Sequence, residues 1–186
     1  MQRLIIGLTG HPGTGKSTAA AYLADKYGFY VFESSQALKD DAAAAGVTLK
    51  ARKDYIDFYR QQQAALGLDY LARRVIESDE PRILQAGLRS RPDFELLHAA
   101  GGVIVALVAD AAAVLQRIDH HLSKNATSLE EYRYQQQIDD SPNEFGTHTS
   151  WVVEHADYQI DTSGPLKQTQ AKLDQVMAEI LSRLDQ

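Results

Sequence analysis

The stretch GHPGTGKST, residues 10–18, decides the fold of this chain. It fits G-x-x-x-x-G-K-[ST], the spacing of a loop that wraps nucleotide phosphates. Gly10, Gly13 and Gly15 permit backbone angles and close approaches that a side chain would block, so successive N–H groups, those of His11 and Thr14 included, can point at oxygen atoms. Lys16 can bridge the β and γ phosphates, and the Ser17 hydroxyl can take a Mg²⁺ coordination position. The helix that follows, with Thr18 in its first turn, adds its positive end. A chance glycine-rich turn is the plain alternative, and the flanks argue against it. Leu4 to Leu8 is a short apolar run of the kind that forms a buried central strand, and the residues from Lys16 to Tyr27 favour helix, with Gly28 placed to end it.

Working outward, Phe29 to Phe32 reads as a second strand, which completes a βαβ unit. Residues 35–79 are mostly helical, in segments closing at Gly46, running from Arg52 towards Leu66, and resuming after Gly67 through Ile76. Arg82 to Gln85, Val103 to Val108 and Tyr158 to Asp161 supply three further strands. Pro92 to Ala100 is expected to be a connecting helix, and another runs from Asp110 to about Leu122, with Asp110 as its N-cap. Thr127 or Ser128 offers a further helix start, residues 139–149 read as loop, and Pro165 opens an amphipathic helix with Leu166, Leu173, Val176, Ile180 and Leu184 inward. Strands alternating with helices imply a parallel sheet covered on both faces, whose ligands sit beyond the carboxyl ends of the strands. That edge carries the glycine loop, Glu33, residues 87–89, Asp110 and residues 162–164.

The 186 residues, 44% hydrophobic and 24% charged, allow one domain with insertions. A net charge of -6 argues against a general nucleic-acid or membrane-surface binder. The absence of cysteine excludes disulfides, thiolate zinc sites and cysteine nucleophiles. No apolar run approaches the ~18 residues of a membrane span, and MQRLIIGLTG lacks the apolar core of a signal peptide, so a cytoplasmic protein is expected. Its oligomeric state is not legible.

IIGLTGHPGTGKST and the following YGFYVFES resemble the opening of the nucleoside monophosphate kinase and dephospho-coenzyme A kinase superfamily. AGLRS at 86–90, VALVAD at 105–110 leading into a helix with Arg117, and ADYQIDTSG at 156–164 continue the likeness over the whole chain. The resemblance implies a three-layer α/β/α P-loop fold with a five-stranded parallel sheet in the order 2-3-1-4-5. Its core would be residues 1–34, 80–118 and 156–186, with acceptor-binding helices over 35–79 and a lid over 119–150. It implies ATP and Mg²⁺ as cofactors and γ-phosphoryl transfer to a nucleotide-like acceptor, a nucleoside monophosphate or dephospho-coenzyme A type. Lys16, Arg89 and Arg117 would stabilise the transferring charge, and Thr162, Ser163 and Gly164 would flank the adenine. Ser35, Lys39, Arg74 and Arg89 would face the acceptor, although Arg73 and Arg74 point about 100° apart and at most one can do so.

Three departures from that pattern bear on activity. Ala86 stands where the family places the acid that orients Mg²⁺, and Ser35 stands where dephospho-coenzyme A kinases carry a catalytic aspartate. The expected lid is acidic, with Lys124 and Arg133 its only basic residues. Glu33, at the end of the second strand, can compensate by reaching Mg²⁺ through water or serving as a base; as a plain alternative it caps the next helix. The rival to a kinase is therefore a nucleotide-binding protein that has lost transfer and acts as a sensor or partner. A GTPase lacks its base-reading N-K-x-D, and size disfavours an AAA-type machine. Tyr55, Phe58 and Tyr59 read as a core stripe, Trp151 as a packing anchor, and His120-His121 as no metal site, because neighbouring helical residues do not share a face.

Overall fold

A computed structural model describes residues 3–120 and 145–184 and, between them, residues 130, 133, 134, 137 and 140. Five strands form one parallel sheet: β1 (Leu4–Thr9), β2 (Tyr30–Glu33), β3 (Arg82–Ala86), β4 (Val103–Val108) and β5 (Tyr158–Asp161), in the order β2-β3-β1-β4-β5. This is the expected 2-3-1-4-5 sheet. Central β1 is buried at all six positions, as an apolar run with helices on both faces must be.

Eight helices are described: α1 (Lys16–Tyr27), α2 (Ser34–Ala44), α3 (Arg52–Leu66), α4 (Tyr70–Ile76), α5 (Arg91–Ala99), α6 (Ala111–His120), α7 (Thr149–His155) and α8 (Leu166–Leu184). On one face of the sheet, Ala20 and Leu23 of α1 and Leu173, Met177 and Ile180 of α8 pack over Ile6, Leu84 and Val105. On the other face, Val75 of α4, Phe94 and Leu97 of α5 and Val152 of α7 pack over Ile5, Ile83 and Ile104. A third cluster joins α2, α3 and α4 through Leu38, Phe58, Tyr59 and Leu71. These three helices thus have a core of their own, seated beside the carboxyl edge of β2 and β3.

α1 ends where Gly28 turns left-handed at φ 71° and returns its N–H to the Ala24 carbonyl. The reading of residues 139–149 as a loop runs one residue into α7, which starts at Thr149; Trp151 there meets the Phe94 ring edge-on at 5.3 Å, the expected anchor. α8 turns Leu173, Val176 and Ile180 inward as expected but leaves Leu166 exposed and buries Met177 instead. Asp110 precedes α6, its carbonyl receiving the Val114 N–H at 3.0 Å and its own N–H held by Ser163 Oγ at 2.9 Å. The helix start at Thr127 or Ser128, His121 and most of the acidic lid lie outside the described residues.

Candidate functional site

The phosphate loop leaves β1 at Thr9 and enters α1 at Lys16. Gly10 adopts φ 138°, and a Cβ there would stand 2.3 Å from the Leu107 carbonyl oxygen, so only glycine lets the loop cross β4 this closely. Gly10→Ala is expected to destabilise the fold by at least about 1–3 kcal/mol, the scale of backbone strain alone; urea unfolding measures it. Thr14 Oγ1 donates to the His11 carbonyl at 2.8 Å, and Thr162 Oγ1 donates to the Thr14 carbonyl at 2.9 Å, which pins the loop to the end of β5. Lys16 Nζ lies over the loop, donating to the carbonyls of Gly10 at 2.6 Å and His11 at 2.8 Å. α1 has no side-chain cap and no acid in its first turn, so its unsatisfied N–H groups and positive end face the loop without a competing carboxylate.

Two clefts meet at this point. One, of about 480 Å³, is lined by residues 13–18, Arg117, Thr162 and Gly164. Arg117 reaches across it, donating to the Thr162 carbonyl and, at 3.4 Å, to the Gly13 carbonyl. Ser163 is turned out of that cleft: its hydroxyl donates to Asp161 at 2.6 Å and receives the Asp110 N–H, holding the turn after β5. The second cleft, of about 610 Å³, lies under α2 and α3, and Lys16 and Ser17 line both.

Glu33, Ser35, Lys39 and Arg89 line the second cleft. Glu33 is paired in register with Ala86, so a carboxylate stands one strand over from the position where the resembled kinases place theirs. It is the residue preceding α2, yet its side chain makes no cap bond. Burial pushes its pKa up, and nearby Lys16 pulls it back down. The Ser17 hydroxyl and this carboxylate both line the cleft, a pair of oxygen donors that would suit a hard cation. Among the described residues no group of three or more His, Asp or Glu gathers as a metal cluster.

Arg74 is placed elsewhere. It pairs with Asp41 at 3.0 Å and covers the Phe32 ring at 5.4 Å, outside the residues lining the cleft. Arg73 is held by Asp69 and the Leu66 carbonyl. Besides Lys16, the cations lining the second cleft are Lys39, Arg89 and Lys50, the last of which sequence reasoning missed because it lies in the connection before α3. Tyr55 also faces the cleft, while Phe58 and Tyr59 form the expected core stripe.

Asp93 was missed as well. It is 1% exposed at the cleft floor, and its carboxylate receives Tyr59 OH at 2.9 Å and the Ala72 N–H at 3.0 Å, tying α3 and α4 to α5. Ser90 caps the same turn by accepting the Asp93 N–H at 3.1 Å. A Ser-x-x-Asp pattern ahead of an apolar run was the available signal. Burial raises the Asp93 pKa to about 6, against the hydrogen bonds that favour its charged form. A raised folded-state pKa means the native state binds this proton more tightly than the unfolded chain does. The resulting stability is full below about pH 4 and is lost as pH rises through about 6. Relative to Asp93→Asn, the wild type should therefore lose about 3 kcal/mol between pH 4 and 7, read by urea unfolding at both pH values.

The AAA-domain family profile matches residues 9–133, about two thirds of the chain. A UPF0200 protein of Methanothermobacter thermautotrophicus is 22% identical over 190 residues, covering 98% of this chain and 94% of that one. A cytidylate kinase of Methanocella arvoryzae is 36% identical over 105 residues, covering 48% of this chain and 60% of the relative. Among solved structures, shikimate kinase from Acinetobacter baumannii in complex with shikimate superposes with a TM-score of 0.61 at 19% identity, covering 97% of this chain and 94% of that one. At that identity the likeness shows the fold. The activities named among these relatives are those of kinases. The chain belongs to the AAA-domain family, and its fold is that of the P-loop kinases.

Proposed function

We propose that this protein is an ATP-dependent phosphotransferase that moves the γ-phosphoryl of Mg-ATP to a nucleotide-like small molecule, a nucleoside monophosphate or dephospho-coenzyme A type. One observation carries the reading: Lys16 and Ser17 form the wall common to both clefts, so a group held at the loop is within reach of a molecule in either. Lys39, Lys50 and Arg89 give the acceptor cleft a positive side, and Tyr55 with Leu38, Ile56 and Leu71 gives it an apolar one. That pairing suits an anionic ligand carrying a ring. The overall charge of -6 makes this a local basic site in an acidic protein, consistent with a small-molecule partner and not a nucleic acid or membrane. No described helix is long and apolar enough to cross a membrane.

Phosphoryl transfer asks little covalent chemistry of a protein; positioning and charge neutralisation dominate. Lys16 and the start of α1 would hold the β and γ phosphates, and Arg117 would close over the nucleotide from the β5 side. Ser17 and Glu33 would hold Mg²⁺, which when bound neutralises phosphate charge. Arg89 would orient the acceptor, and Glu33, partly desolvated, would either reach Mg²⁺ through water or take the proton of an acceptor hydroxyl, a step that a nucleoside monophosphate, accepting through a phosphate oxygen, does not need.

Ala86 and Ser35 favour one alternative, a nucleotide binder without transfer. Purified protein with Mg-ATP and a panel of nucleoside monophosphates, nucleosides and dephospho-coenzyme A separates the two. Acceptor-dependent ADP with a phosphorylated product is expected. Tight ATP binding with no acceptor-dependent ADP across the panel would replace the kinase by the binder.

A further inference from the structure

Residues 146–150 run along the edge of the second cleft into α7, and three of them are each fastened to a different part of the site. Gly146 N–H donates to the buried Gln63 side chain of α3, and His148 N–H donates to the Arg89 carbonyl at 2.7 Å. Two residues on, Ser150 stands 3.3 Å from His11 of the phosphate loop, Oγ to Nε2. Thr147, between the first two ties, lines the acceptor cleft. Asp140 pairs with His148 in an antiparallel bridge, and its carboxylate takes the Ser150 N–H at 2.9 Å and the Ser150 hydroxyl at 2.7 Å.

Counting protons fixes the direction of this chain of contacts. A serine hydroxyl has one hydrogen, and that of Ser150 is given to the Asp140 carboxylate, a short charge-assisted bond. Ser150 Oγ therefore accepts from His11, and His11 carries a proton on Nε2. The ring so fixed belongs to the residue whose carbonyl receives both Lys16 Nζ and Thr14 Oγ1, each at 2.8 Å. A shift of His11 moves the seat of Lys16.

We propose that residues 146–150 tie the acceptor side of the site to the phosphate loop, with His11 as the positioning residue at the loop end of an Asp140–Ser150–His11 chain. Displacement of α3 or of the Arg89 turn passes through Gly146 and His148 to Ser150 and His11, and so to the Lys16 ammonium. The inference rests on the reading of residues 10–18 as a nucleotide loop. It adds to that reading a route by which the acceptor cleft sets the loop's affinity.

The test uses the full chain. Nitrogen-15 spectra of the wild-type imidazoles should show His11 protonated on Nε2, as the contact to Ser150 requires. Calorimetric titration with Mg-ATP should show that His11→Leu and Ser150→Ala each weaken binding by at least about threefold, and that the double variant is no weaker than the weaker single one, the coupling expected of contacting residues. Ser150→Thr, which keeps the hydroxyl, should bind ATP like the wild type. A His11 ring protonated on Nδ1 alone, or effects that multiply in the double variant, would overturn the tie while leaving the nucleotide loop in place. Should Ser150→Ala fail to fold, the His11→Leu titration decides, and binding of Mg-ATP within threefold of the wild type overturns the tie. Wild-type protein that binds no ATP overturns the nucleotide reading and the tie with it.

Discussion

Lys16→Ala should lower acceptor-dependent ADP formation by at least about 10²–10³-fold, the cost of deleting one preorganised charge-stabilising donor, while the protein stays folded. The ammonium is held by two loop carbonyls at 2.6 and 2.8 Å and lies on the wall between the two clefts. It is therefore in place before reaction and loses little freedom when charge develops on the phosphoryl group. Lys16→Arg should recover little of the loss, because a planar guanidinium cannot take the seat of a compact ammonium between the Gly10 and His11 carbonyls. The measurement is steady-state ADP release with the best acceptor from the panel, beside a melting curve. Turnover within threefold of the wild type in a folded Lys16→Ala protein would remove the loop lysine from the chemistry.

The loop was legible because its requirements are local: glycines where a Cβ meets the Leu107 carbonyl, a lysine and a hydroxyl at fixed offsets, an apolar strand before and a helix after. The strands were legible for the same reason, and α1 and α3 fall on the bounds expected from capping and composition. α7 was not legible. Its seven residues are too few to be stable on propensity, and it forms because Val152 and Trp151 pack onto the sheet and α5. The acceptor cleft was half legible. Ser35 and Lys39 follow β2 closely and could not fall far from it, but the side chains supplied by α3, α4 and α5 depend on how those helices lean together. Arg74 and Lys50 show the limit: one helical turn sent the first to Asp41, and an irregular connection brought the second to the cleft. Asp93 could be read as part of a helix start, whereas its bonds to Tyr59 and Ala72 span 34 and 21 residues of sequence.

Glu33→Gln should lower turnover by about 10²-fold or more, within the range for loss of a positioned base, and should flatten the dependence of rate on Mg²⁺. Ala86 offers no carboxylate at the position the resembled kinases use, and Glu33 is its direct neighbour on the next strand, in register and beside the start of α1. The competing role as a helix cap requires a side-chain bond to α2, and the structure has none. Burial raises the Glu33 pKa and Lys16 lowers it, with burial the larger influence. The working form is the carboxylate, so wild-type activity should fall as pH drops through a value above that of an ordinary glutamate, and Glu33→Gln should lack that acid limb. Lys16→Ala, by removing the charge that holds the pKa down, should move Glu33 titration further up, visible in the carboxyl carbon resonance even in a protein too slow to assay. Unchanged rate, Mg²⁺ dependence and acid limb in Glu33→Gln would leave the chain with a phosphate loop and no carboxylate to serve it, and would favour the nucleotide binder over the kinase.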